Sequence, residues 1–367
     1  MVKKKKEAKF FKIRPETEKE HMALDVLYSL KNGQDPTSSA GGRNVSDYID
    51  LCKDKGLLEG PGGGGEIAFK QGHKKILGIG FRDSQCFLTV IDLNGNILDK
   101  ESIEIDLLLH GTGKNKDFTG VVRQVGEKTK FSGEDFACCG VAIPEAMIGI
   151  NPKSVTIFSN GIKDIFGCDV FMTTSATAAG YGDRENLDSA KNKNILYMYS
   201  DVGTGVVLKG ESIFEADEYN SGKDGEYLRP WNQFSIVNTT KDLAASGVGT
   251  DVVEMVKGDI DNITLDVVFQ AAGNSDELAE DLIKRSGLAL GVRVAYLVNM
   301  FDVDHVVFGG GIESDEEKFI QYVKESMNKF LSGEKIDELK MIPGVLGKES
   351  SSVGAALLCR REIFMEV

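Results

Sequence analysis

Short apolar runs punctuated by glycine and asparagine set the rhythm of this chain from Lys74 onward. KKILGIGF and CFLTVIDLNGNILDKESIEID predict three strands, with a type I′ hairpin turn at Asn94-Gly95, because both central residues of that turn need positive φ. A helix over Lys116–Phe131, the buried strand FACCGVAIP, a helix over Lys153–Gly167, the strand DVFMTT and a helix over SATAAGYGDREN follow, with Ser175 as candidate cap. The succession then restarts: NILYMYS is a strand, Asp201–Gly205 a bend, and VVLKGESIFEA continues through a turn at Lys209-Gly210. Helices are expected over Asp251–Val256, Thr264–Ala272, Asp276–Phe301 and Asp315–Leu331. The strand HVVFGGGIE lies between the last two, and SSVGAALLCRREIFME closes the chain as a helix. Matching units that begin near Ile76 and Ile195 predict an α/β fold of two lobes facing each other across a cleft.

Residues before Lys74 follow a different period. EKEHMALDVLYSLKNG carries Met22, Leu24, Leu27 and Leu30 at helical spacing and stops at Gly33. DPTSSAGG is a loop or a single helical turn. RNVSDYIDLCKDKGLLEG places Val45, Tyr48, Ile49 and Cys52 on one helix face, with Asn44 or Ser46 as cap and Gly56 as stop. LLEGPGGGGEIAFKQ adds a strand, a glycine-rich tip and a second strand. This is the outline of a winged helix-turn-helix, or of a small helical appendage on a glycine linker. The expected division is 1–73, 74–182 and 183–367.

Charge and cysteine usage narrow the class. A chain of 367 residues predicts two or three domains. The net charge is −14, yet seven basic residues against Glu7 give residues 1–14 a charge of +6, which leaves −20 on the rest. A basic arm on an acidic body steers toward nucleic acid or is a solvated, disordered tail. Arg43, Lys53 and Lys55 are candidate phosphate contacts, and Asn44 and Ser46 candidates for base edges. Asp47, Asp50 and Asp54 on the same helix would repel phosphates that they faced. The six cysteines form no C-x-x-C pair, so zinc clusters and redox motifs are not expected, and those in FACCGVAIP read as small buried hydrophobes. No apolar run is long enough to span a membrane, and MVKKKKEAKFFKIRPE does not read as a secretory signal, so a cytoplasmic protein is expected.

Two glycine bends carry the candidate chemistry. VFGGG (Val307–Gly311) is a strand running into a bend and then a helix, where bare backbone admits close approach of an anion. DVGTGVV offers the N–H groups of Gly203 to Gly205 and the Thr204 hydroxyl to a phosphate. Around them the chain resembles the family of repressors, open reading frames and kinases called ROK, over about residues 74–360. LGIGFRDSQCFLTVIDLNGNIL resembles its first strand unit, and VAIPEAM its I-P-G-P motif. VFMTTSATAAGYGDRE falls where V-E-N-D-A-N-A-A occurs, VGTGVVLKG resembles the second phosphate loop, and DGEYLR falls at G-E-I-G-H. LALGVRVAYLVNMFDVDHVVFGGGI resembles the adenosine-side helix, strand and glycines, and SSVGAALLC the final helix. The resemblance implies an actin-like ATPase (ribonuclease H-like) fold. Its nucleotide-side loops would be Gly203, Thr204, Gly205, Gly309, Gly310 and Gly311, and its sugar side Thr173, Thr174, Ser175 and Glu226. It also implies a homo-oligomer, and the first 73 residues resemble the winged head of the family's repressors more distantly.

The departures set the functional expectation. The kinases' general-base aspartate aligns with Ser175, their metal-side aspartate with Gly80, and their G-G-T turn with Arg82-Asp83-Ser84. Loss of base and metal carboxylate together is severe for phosphoryl transfer. The family's zinc loop is replaced by YLRPWNQFSIVNTT, so no zinc is expected. The reading is a transcriptional regulator whose degenerate kinase body senses a sugar or related metabolite and whose head binds DNA, with no cofactor. Two alternatives stand beside it. One is an ATP- and Mg²⁺-dependent sugar kinase with relocated acids such as Asp83, Asp201 or Glu145; the other is a sensor or scaffold that does not bind DNA.

Overall fold

The computed structural model describes residues 9–10, 17–39, 44–60, 67–82, 85–105, 118–144, 152–187, 189, 193–199, 203–208, 212–215, 236–301, 303–312 and 316–367. The head begins with α1 (Glu18–Lys31), whose first turn is closed by a capping box between Thr17 and Glu20. Helices α2 (Pro36–Ser39) and α3 (Ser46–Asp54) follow, and then the antiparallel pair β2 (Leu58–Glu59) and β3 (Ala68–Phe69). Three helices and a two-stranded wing are the winged-helix outline that the apolar spacing predicts. Val45 occupies the cap position of α3 without a side-chain bond, so neither Asn44 nor Ser46 caps it as expected; Asn44 instead accepts from the Ser46 amide at 3.2 Å.

Each lobe is built on one sheet, and the two sheets share a topology. In the first lobe β4 (Lys75–Arg82), β5 (Gln85–Ile91) and β6 (Ile97–Glu104) form an antiparallel meander. On the other side of β4, β7 (Phe136–Ile143) and β8 (Asp169–Thr174) run parallel to it, giving the order β6-β5-β4-β7-β8. In the second lobe β9 (Ile195–Tyr199), β10 (Gly203–Leu208) and β11 (Ser212–Glu215) repeat the meander. The parallel strands β12 (His305–Gly309) and β13 (Lys340–Pro343) complete the order β11-β10-β9-β12-β13. Helices α4 (Phe118–Lys128) and α5 (Pro152–Phe166) belong to the first lobe. The second lobe holds α7 (Ile236–Ala245), α8 (Asp251–Met255), α9 (Leu265–Gly273), α10 (Glu277–Phe301), α11 (Glu316–Met327) and α12 (Gly333–Glu338). Among the described residues no helix is long and apolar enough to cross a membrane.

Four local expectations are corrected. Only Gly95 of the Asn94-Gly95 pair has positive φ, and its amide donates to Asp92 O at 3.1 Å. The turn therefore starts at Asp92 and is not type I′; Arg360 holds it by donating to Asn94 O at 2.8 Å. Gly203, Thr204 and Gly205 lie in β10, paired with Tyr199, Met198 and Tyr197, so these three residues are strand and not the bend expected there; Asp201 and Val202 lie outside the described residues. The arm is not wholly a solvated tail: Lys9 and Phe10 form β1, a sixth strand parallel to β8 on the first lobe's sheet. β13 is absent from the sequence reading because four residues, KMIP, carry too short a pattern.

The lobes are joined by two crossing helices, α6 (Ser175–Asn186) and α13 (Ser350–Met365). The α6 helix follows a first-lobe strand but packs on β9 and β10 of the second lobe. The α13 helix ends the chain but packs on β4, β7 and β5 of the first. Both are buried on all sides and consist largely of Ser, Ala and Gly where they touch. A Cβ placed at Gly354 would overlap the Ala178 carbonyl oxygen, and one at Gly182 would lie 3.0 Å from Gly354 N. Cβ atoms at Gly78 and Gly140 would overlap the Ser352 and Ala355 carbonyl oxygens in the same way, so α13 lies backbone-to-backbone on the sheet.

The head sits on this crossing. Tyr48 donates to the Phe364 carbonyl, Phe69 meets Phe364 edge-on with centroids 5.8 Å apart, and the Tyr28 and Tyr181 hydroxyls are 3.4 Å apart. Glu185, buried in α6, pairs with Lys31 of α1, with Arg184 at 3.1 Å and with Arg360 of α13 at 3.6 Å. Head residues and the two crossing helices thus share one apolar cluster. We expect Gly354→Ala to cost about 1–3 kcal/mol in chemical denaturation, as overpacking does. Gly120→Ala, in open space on α4, should be neutral or add roughly 0.5–1 kcal/mol.

Candidate functional site

Parallel strands of such sheets present their carboxyl ends to the cleft, and helices start there. In the first lobe this edge holds Gly80 and Arg82 of β4 and the β8–α6 junction. Thr173 is fully buried within β8. Thr174 is the cap of α6: its hydroxyl accepts from the Thr177 amide at 3.3 Å and donates to the Thr177 hydroxyl at 3.1 Å. Ser175, expected as the cap, is instead the first helical residue. Its hydroxyl is buried and makes no hydrogen bond to any of the described residues. The Ser350 and Ser351 hydroxyls at the start of α13 are likewise buried and unbonded.

Gly80 is a glycine for a steric reason. A Cβ there would overlap the Ser351 hydroxyl and lie 2.6 Å from the Ser352 amide nitrogen. The start of α13 occupies the space that an acidic side chain at this position would need. Two residues on, Arg82 is buried. Its guanidinium lies 3.7 Å from the Asp266 carboxylate in the first turn of α9, and Lys348 meets the other Asp266 oxygen at 3.0 Å. Arg82 also reaches the second lobe's glycine bend, since a Cβ on Gly311 would sit 2.7 Å from its Nη2. One cation from the first lobe is therefore set between α9 and the glycine bend of the second.

The second lobe's candidate glycines have separate roles. Gly310 and Gly311 adopt φ of 71° and 110°, which side-chain-bearing residues rarely do. Gly309 does not; its missing Cβ makes room for the Tyr197 ring and hydroxyl. Tyr197 in turn donates to Asp183 Oδ2 at 2.6 Å, and Asp183 Oδ1 accepts from the Val345 and Leu346 amides at 2.7 and 2.9 Å. Gly309 is thus tied to the helix crossing through a buried carboxylate that sequence reasoning did not single out. Of the second bend only the backbone of Gly203, Thr204 and Gly205 is described, as strand. Glu226, Asp83, Asp201 and Glu145 lie outside the described residues.

The candidate nucleic-acid surface is mixed. Tyr48, Ile49 and Cys52 turn inward, while Ser46, Asp47, Asp50, Leu51 and Asp54 are exposed on α3, and Asn44 and Lys55 are exposed at its ends. Lys53 is half-buried and lies 3.7 Å from Asp50, which already offsets its charge. Arg43 lies outside the described residues.

Comparison with known proteins agrees with this architecture. A sequence model of the ROK family matches residues 241–362. A glucokinase of Halalkalibacterium halodurans is 22% identical over 195 residues, which span 48% of this chain and 58% of that protein, little more than half of its length. The crystal structure of a ROK family transcriptional regulator, a homolog of the E. coli MLC protein, superposes with a TM-score of 0.66 at 14% identity, covering 95% of this chain and 97% of that one. A ROK family glucokinase from Streptomyces griseus, solved with glucose and AMPPNP, superposes with a TM-score of 0.59 at 18% identity, covering 77% of this chain and 98% of that one. The fold is therefore the actin-like fold shared by ROK regulators and ROK sugar kinases, and the regulator matches over the head as well as the body.

A magnesium nucleotide, which that fold implies for the kinases, does not fit the described residues of the first bend. Mg²⁺ demands oxygen ligands in near-octahedral array. Here position 80 has no side chain and no room for one, and a guanidinium stands two residues away. Among the described residues no cluster of three or more His, Cys, Asp or Glu could hold a metal ion. Two substitutions test this geometry by equilibrium denaturation. Gly80→Asp should destabilise the fold by about 1–3 kcal/mol through collision with α13. Ser175→Ala should leave it unchanged or raise it by about 1 kcal/mol, because it removes an unbonded buried hydroxyl.

Proposed function

We propose that this ROK-fold chain is a regulator: its body senses a sugar or related hydroxyl-rich metabolite without phosphorylating it, and its winged head binds DNA. The observation that carries the reading is the pair Gly80 and Arg82. Where a kinase of this fold has a metal-side aspartate and a glycine turn, this chain packs the start of α13 onto Gly80 and sets a buried guanidinium against Asp266. Ser175 stands where the general base would be, and a serine hydroxyl is no base near neutral pH. Its unbonded, buried hydroxyl is suited to meet a hydroxyl of a small molecule, since such groups in native proteins usually have a partner. The head shares its core with α6 and α13, so a ligand that altered the closure of the lobes would be felt by the head without a separate linker. The regulator of the same fold, matched over nearly its whole length, supports the DNA-binding half of the proposal.

A second reading rests on the face of α3. Asp47, Asp50 and Asp54 are exposed together, and Lys53 is already paired, which suits a basic protein partner better than a phosphate backbone. Two assays separate these readings. With Mg²⁺-ATP and a panel of sugars, a regulator gives a sugar-dependent rise in melting temperature and no ADP above background; sugar-dependent ADP release would overturn it. On promoter DNA upstream of its own gene, the DNA-binding reading expects a salt-sensitive mobility shift that Lys55→Ala weakens. No shift at low salt, even after Asp50→Asn, favours the protein partner.

A further inference from the structure

The cysteines hold a feature that neither reading uses. Cys139 lies in β7 with its side chain fully buried, and Cys168 follows Gly167 in the turn between α5 and β8, where it is partly exposed. Their strands are neighbours: Cys138 pairs with Asp169 and Cys139 with Val170. The two Sγ atoms are 3.4 Å apart. We propose that Cys139 and Cys168 are a peroxide-reactive dithiol pair, with Cys168 the attacking thiol and Cys139 the resolving one.

The division of roles follows from access and from the hydrogen bond between the two sulfurs. Cys168 is partly open to solvent, whereas Cys139 is not. The hydrogen bond with Cys139 holds the Cys168 thiol below its usual range against the opposing effects of burial and the Asp169 carboxylate; Lys163, 2.7 Å from Asp169, adds only a smaller lowering. Burial pushes the Cys139 thiol well above its usual range, so it is the poorer first nucleophile. In the first step the Cys168 thiolate attacks one oxygen of a hydroperoxide. The O–O bond breaks, Cys168 becomes a sulfenic acid, and the second oxygen leaves as water or an alcohol after taking up a proton. In the second step the Cys139 sulfur attacks the Cys168 sulfur. The S–O bond breaks, and the hydroxyl leaves as water with the proton from Cys139. Two thiols and one peroxide thus give one disulfide, with the peroxide as the two-electron oxidant.

Cys138 in β7 and Cys359 in α13 are both buried, and burial pushes both thiols above their usual range. They are the internal contrast: thiols closed to the oxidant. The reactive pair sits at the amino end of β8, opposite Thr173, Thr174 and Ser175 at its carboxyl end. The disulfide would staple the turn after α5 to β7 and leave the cleft edge untouched.

The test uses the full-length protein, hydrogen peroxide under native conditions, intact mass and a non-reducing peptide map. The expected product is lighter by about 2 Da, with the Cys139 and Cys168 peptides joined and released by dithiothreitol. Without its resolving partner, Cys139→Ser should take up about 16 and then 32 Da at Cys168. The Cys168→Ser variant should leave Cys139 unmodified. Cys168 of the wild type moving to the heavier forms without a crosslink would overturn the proposal. So would a wild type in which neither thiol reacts at a peroxide level that oxidises a free cysteine peptide, or one in which Cys138 and Cys359 react first. If Cys139→Ser does not fold, the wild-type map alone decides.

Discussion

Everything in this molecule is hung on the contact between α6 and α13. Each helix leaves one lobe and packs on the other, so neither lobe can be completed without a segment from its neighbour. The contact is possible only because the facing positions are small: Gly354 against Ala178, and Gly182 against the amide of Gly354. Interiors are close-packed, and a single methyl group at such a site cannot be absorbed without moving backbone. Glycine weakens an isolated helix, so these residues stabilise the fold through what they allow to approach, not through helix propensity.

The chemistry at the cleft is governed by the same contact. Position 80 could carry an acid only if α13 began elsewhere, and α13 begins where it does because Gly78, Gly80 and Gly140 form a bare floor for it. Asp183 ties the exit of β13 to α6 and, through Tyr197, to Gly309, so the glycine bend and the crossing are joined by one buried carboxylate. The head is fixed to the crossing helices by the Tyr48–Phe364 bond and by the charges around Glu185. The Arg82–Asp266–Lys348 group adds a polar tie between the lobes. Only Arg82 of the three is buried, and a partly exposed ion pair adds little net stability, so the group matters for where it holds the guanidinium.

Much of this layout could be read from apolar spacing, because it depends on local periodicity. The two strand-meander units, the long helix up to Phe301, the winged outline and the strand running into the glycines at Val307–Gly311 all follow from residues within one segment. What escaped depends on residues far apart in the chain. Nothing near Gly80 announces Ser351, and nothing near Arg82 announces Asp266. Ser175 looked like a cap because serine caps helices, yet Thr174 one residue earlier took the role, and the displaced hydroxyl was left buried and unbonded. Gly203 to Gly205 looked like a loop because glycine punctuates turns, yet a ladder with β9 draws them into strand. CFLTVIDLNGN resembled a type I′ hairpin until Arg360, more than 260 residues on, is seen holding the turn by Asn94.

Native-state hydrogen exchange under increasing denaturant tests most directly whether head and lobes share one joint. Amides of α1, α6 and α13 should merge into a single opening transition with a common free energy and a common denaturant dependence. Protection of α1 that is lost at clearly lower denaturant than that of α6 and α13 would show the head to be an independent unit, and would contradict the account.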